Sequence, residues 1–144
     1  MKKFLIISGI ALLLGGYFAF VMFDGTVNAD SYKDENGFVR AKAFQVGVFS
    51  RVENANRVAK LNNGIVVQED DMYRVYIGVL SKDAAINNLK KFYDLYDINY
   101  YIRDIYVNEF FLESVNELEN SIIKCNTECT DIMVSLLNKY EEYK

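Results

Sequence analysis

The chain of 144 residues has no histidine, no tryptophan, no proline and only two cysteines. Without histidine, Ser-His and Cys-His nucleophile pairs lose the imidazole base they need. Histidine-ligated catalytic zinc is removed with it. A glycosidase needs only a placed pair of carboxylates, but no carboxylate cluster here is set against a hydrophobic pocket signal. The expectation is a non-enzyme with no cofactor and no metal. Cys125 and Cys129 do not alter it, because a C-x-x-x-C spacing lacks the further ligands of a metal site. Strong positive charge is also lacking. Arg40 to Val107 holds ten Lys/Arg against eight Asp/Glu (+2), and Asn108 to Lys144 holds three against eight (−5). A weakly basic middle and an acidic tail argue against a nucleic-acid partner.

What is present begins with an uncharged run from Phe4 to Phe23, long enough to cross about 30 Å of hydrocarbon as a helix. Lys2 and Lys3 precede it, and Asp24, Asp30, Asp34 and Glu35 follow. That asymmetry predicts a single-pass membrane anchor with a cytoplasmic N-terminus and the rest of the chain outside. A cleaved signal peptide, cut after Ala29, is the rival. The run exceeds the usual apolar core of about 7–15 residues in such peptides, which favours a retained anchor. Residues 24–38 read as a polar linker, reaching at most roughly 50 Å when extended.

One phrase then occurs twice, 31 residues apart: Phe44-Gln45-Val46-Gly47-Val48-Phe49-Ser50-Arg51 and Val75-Tyr76-Ile77-Gly78-Val79-Leu80-Ser81-Lys82. Self-similarity at fixed spacing signals one supersecondary unit used twice. Val39–Phe49 alternates as a half-buried strand. Ser50 with Glu53 has capping-box spacing, and Val52, Ala55, Val58 and Ala59 make a helical stripe. Asn62-Asn63-Gly64 ends that helix. Ile65–Gln68 reads as a strand, Glu69–Asp71 as a turn and Met72–Leu80 as a third strand. Ser81 is placed to cap a second helix with a stripe of Ile86, Leu89, Tyr93 and Tyr96. Asp97 breaks it, and Asn99–Val107 supplies a fourth strand. The fold expected for residues 39–107 is α+β, a βαββαβ unit.

These phrases resemble a SPOR domain, the peptidoglycan-binding module of bacterial division and sporulation proteins. The likeness rests on Gln45-Val46-Gly47-Val48-Phe49-Ser50 with Ala55 in the helix that follows. It continues through Tyr73-Arg74-Val75 and Ile77-Gly78 into a serine-led helix carrying Ala84 and Ala85. It spans Arg40 to Val107, 68 of 144 residues. The resemblance implies an RNP-like, four-stranded antiparallel sheet with both helices on one face. It also implies binding of peptidoglycan glycan strands stripped of stem peptides.

If Val46, Val48, Val75, Ile77 and Val79 pack on the helices, strict alternation turns Gln45, Gly47, Arg74, Tyr76 and Gly78 to the open face. Burying Tyr100 and Ile102 would add Tyr101 and Arg103. These seven residues are the candidate glycan site: tyrosine platforms, amide and guanidinium donors, and two bare glycines. Gln45 also fits as a plain strand residue, Arg74 as half of an ion pair, and Tyr76 and Tyr101 as rings packed against the tail.

The tail, residues 108–144, repeats Phe111, Val115, Leu118, Ile122, Cys125, Cys129, Ile132 and Leu136 at alternating spacings of four and three. One long helix would offer that seam to an envelope protein or a second copy. A hairpin broken near Asn126 and Thr127 would pack in cis, the favoured reading for a small domain. The cysteines fit three states: buried thiols, an internal disulfide at a helix break, or an interchain bridge. Buried, reduced thiols are expected.

Overall fold

The structure, a computed structural model, describes residues 37–126 and 129–143, all within the unit Lys33–Lys144. The apolar run 4–23 lies outside the described residues. Among those described, no helix is long and apolar enough to cross a membrane.

In chain order the elements are β1 (Phe38–Phe49), α1 (Val52–Leu61), β2 (Ile65–Glu69), β3 (Met72–Leu80), α2 (Asp83–Leu95), β4 (Tyr101–Asn108), α3 (Glu109–Lys124) and α4 (Cys129–Tyr143). The strands form one antiparallel sheet in the order β2-β3-β1-β4. Turn chemistry sets the helix ends. Asn63 and Asp97 take positive φ, and the Gly64 and Ile98 amides reach back to the Ala59 and Tyr93 carbonyls at 2.8 and 2.9 Å.

Neither expected serine cap forms. The α1 N-cap is Arg51, with no side-chain bond, and Ser50 is exposed. The α2 N-cap is Lys82, also without a side-chain cap. Ser81 instead gives its amide and hydroxyl to the carboxylate of Glu119 on α3, with hydroxyl distances of 3.0 and 3.1 Å. A capping carboxylate thus arrives from another helix, where the α2 dipole favours negative charge.

The helices divide unequally over the sheet. α1 seals a small cluster through Ala55 and Ala59 against Val75, edged by Phe49, Val58, Val66 and Tyr73. α2, α3 and α4 share the larger core with Phe44, Val79, Leu80, Ile105 and Val107. Asn88 of α2 ties this layer together by donating to the Ile122 and Cys125 carbonyls at 2.7 and 2.8 Å, orphan acceptors at the end of α3. In the second helix Ile86, Leu89 and Tyr93 are buried as expected and Phe92 joins them, whereas Tyr96 is half exposed.

The tail is a hairpin, as the cis reading expects. Extended backbone at Cys125 ends α3, and the helical phase restarts at Cys129. α4 therefore buries Met133, Leu136, Leu137 and Tyr140, while Ile132 is only partly covered. The expectation of reduced thiols is corrected: Cys125 and Cys129 form a disulfide, with Cα atoms 5.6 Å apart across the break.

Candidate functional site

Two register irregularities decide which predicted residues share a face. Gly78 pairs with Phe44, Tyr76 with Gln45, and Val75 with Gly47, so Ile77 and Val46 are each left without a partner. Bulges of this kind interrupt the alternation assumed from sequence. Gly47 comes to lie beside Val75 on the α1 side, where an added Cβ would meet the Phe49 ring at 2.6 Å. It is not beside Gln45, and the expectation of an open-face glycine there is corrected.

The expectation for Gly78 is corrected too. It is enclosed, and a Cβ there would fall 2.7 Å from Met133 Cε and 3.0 Å from Leu89 Cδ2. Tyr76 is likewise not on an open face. Its exposure is 0%, and its ring meets Tyr140 of α4 edge-on with centroids 6.4 Å apart. The hairpin covers this stretch of sheet because its apolar stripe and the strand residues exclude water together.

Four residues of the predicted site do gather, around a residue that the sequence pattern assigns to a turn. Glu69, the last residue of β2, accepts from the Tyr76 hydroxyl at 2.7 Å and from Arg103 Nη1. Arg103 also donates to the Tyr76 oxygen at 3.2 Å. Arg74 Nη1 donates to Gln45 Oε1 at 3.2 Å. Arg74 Nε lies 3.1 Å from a Glu69 oxygen but makes no directed hydrogen bond. Burial opposes ionisation of Glu69, yet the Tyr76 and Arg103 hydrogen bonds and both guanidiniums outweigh it and hold its carboxyl below the ordinary value. Burial pushes the Tyr76 hydroxyl up, and the bond to Glu69 adds to this. Arg103 stays charged despite partial burial because Glu69 and Tyr76 favour the cation.

Tyr101 completes the patch as the register partner of Gln45, with 66% of its surface exposed. The cluster holds two guanidiniums and one carboxylate, all partly exposed. It can present a flat ring and hydrogen-bond donors to a polar ligand. Its carboxylate is held ionised and already engaged, which does not suit a general acid.

Glu119 had no signal in spacing, because Ser81 is 38 residues away, and Glu69 meets Arg103 across 34 residues although Arg74 and Tyr76 lie on the next strand. Among the described residues, no group of three or more His, Cys, Asp or Glu gathers as a metal site. The chain matches no family model, no curated protein and no solved structure.

Proposed function

We propose that this chain is a non-catalytic, membrane-anchored module that binds peptidoglycan glycan strands stripped of stem peptides, in cell division or wall remodelling. In this reading residues 4–23 hold it in the cell membrane with the N-terminus cytoplasmic. Residues 39–107 form an RNP-like, SPOR-type domain on the outer side. One observation carries the proposal. Gln45, Arg74, Arg103 and the exposed Tyr101, drawn from three strands, meet on one patch that the hairpin leaves uncovered. A ring platform beside amide and guanidinium donors suits sugar faces with their hydroxyl and acetamido oxygens.

A second reading, an envelope protein-interaction module with the same fold, has its own support. The hairpin already occupies the sheet at Tyr76, which shrinks the surface left for a long glycan. A pull-down of the full chain, in a polyoxyethylene detergent, on purified sacculi separates the two. The glycan reading expects binding that rises after amidase treatment and falls at least fivefold in Tyr101→Ala with an unchanged melting temperature. Absence of binding to treated and untreated sacculi alike would discard it and leave the protein-partner reading.

A further inference from the structure

A second concave surface shares Glu69 with that patch but does not include Tyr101. It is a cleft of about 200 Å³ between the ends of β2 and β4 and the helical hairpin. Phe38, Tyr106, Phe111, Tyr140 and Tyr143 contribute five aromatic rings to its walls. Two of those rings fix its shape: Phe111 and Tyr140 stand nearly perpendicular, at 81°, with centroids 5.5 Å apart. Tyr106 and Tyr143 retain 62% and 38% exposure, so the rim is open to solvent.

The polar lining determines what such a box accepts. No lysine or arginine lines it, so an anionic group would find no counter-charge. Glu69 is the lining carboxylate, but Arg103 and Arg74 on the neighbouring strands already neutralise it. With that carboxylate engaged by two guanidiniums, the box offers no spare negative charge to a cation. Neutral hydrogen-bonding groups complete the lining: the Gln68 amide, the Asn108 amide and the tyrosine hydroxyls. The volume is below the roughly 300–1,000 Å³ typical of drug-sized ligands and suits a single ring.

We propose that this cleft is a subsite for one neutral pyranose ring of the N-acetylhexosamine class, stacked on Tyr106 and Tyr143. The proposal deepens the glycan reading and rests on it for the source of the sugar. Its location is new: the ring sits against the C-terminal hairpin, which lies outside the stretch resembling a SPOR domain. The hairpin then takes part in the binding surface in addition to covering the sheet.

The test uses the full chain in a polyoxyethylene detergent, titrated with N,N′-diacetylchitobiose and followed by calorimetry and by tyrosine fluorescence, which no tryptophan obscures. Saturable binding is expected, weakened at least tenfold in Tyr143→Ala and in Tyr106→Ser. Leu61→Ser, exposed on α1 and outside the cleft, should stay within twofold of the parent. Both cleft positions are partly exposed, and their melting temperatures verify the fold. Tetramethylammonium in place of the disaccharide should give no saturable signal.

No binding of the disaccharide, equal binding by the cleft variants, or saturation by tetramethylammonium alone each overturns the proposal. Sacculus pull-downs with the same variants distinguish the two levels. Sacculus binding without disaccharide binding sinks the cleft and leaves the function standing. Disaccharide binding without sacculus binding does the reverse.

Discussion

The repeated phrase is built twice on the same pattern, sharing its glycine, the valine after it and its serine, and is used in two different ways. In the first copy Val48 and Ser50 are exposed, Gly47 and Phe49 only partly covered, and the helix that follows seals a cluster of three buried residues. In the second copy every residue from Val75 to Leu80 is buried. The difference does not come from the strands, whose apolar content is similar. Beyond Val75, which α1 covers, it comes from the hairpin, which packs α3 beside α2, sets Met133 against Gly78 and brings Glu119 to Ser81. A duplicated unit diverges when a later segment adopts one copy as its partner and leaves the other at the surface.

Removing the anchor of the second copy is the strongest way to break this contrast. Glu119→Ala would leave the Ser81 amide and hydroxyl without their buried acceptor, a loss of about 3 kcal/mol in chemical denaturation. Hydrogen exchange should accelerate in α2 and α3 before α1. A loss under about 1 kcal/mol would mean that packing alone distinguishes the copies. The same side chain has a pH signature. Burial raises its carboxyl above the ordinary 4.5, against the pull of the Ser81 hydrogen bonds. The folded state therefore holds that proton more tightly than the unfolded chain, and its contribution declines as pH rises above about 4.5. Glu69, held low, has the opposite sign: its contribution is present at neutral pH and fades as pH falls below 4.5. Glu119→Gln should therefore gain on the parent between pH 4 and 7, read from denaturation midpoints.

The paired glycines give the next effect. Gly78→Ala pushes a methyl against Met133 and Leu89, both buried, and should cost about 2 kcal/mol. Gly47→Ala meets only the edge of the partly exposed Phe49 ring, which can turn aside, and should cost under about 1 kcal/mol. Equal costs in thermal denaturation would deny that the hairpin is what makes the second copy tight. The serines give the smallest and cleanest contrast. Ser81→Ala loses its hydroxyl bonds to Glu119, worth about 1 kcal/mol. Ser50→Ala, exposed and not capping, should stay within about 0.5 kcal/mol of the parent.

Much of the architecture was legible because it rests on local chemistry. Apolar periodicity located all four strands and the helices between them. Asn63 and Asp97 marked the helix ends because short polar side chains tolerate positive φ. In the tail the poor helix formers Asn126 and Thr127 allowed a break, while the continuous apolar seam also allowed one long helix. The candidate site was only partly legible. Gln45, Arg74, Arg103 and Tyr101 do converge, but parity placed Gly47 and Gly78 beside them, and parity fails at a bulge. A single unpaired residue changes which face its neighbours occupy, and nothing in the composition of Gln45-Val46-Gly47 announces it.

The sequence by itself determined the elements, their order and the absence of any histidine-based chemistry, since these depend on residue type and on neighbours three or four positions away. Only the tertiary structure decided the rest. It placed the hairpin over Tyr76, joined Cys125 to Cys129, brought Glu119 to the start of α2 and made Glu69 the centre of a charged cluster. Most of these contacts join residues more than 30 positions apart, and the short cysteine bridge joins the end of one helix to the start of the next. Their energies come from water excluded jointly by several elements, which no local pattern records.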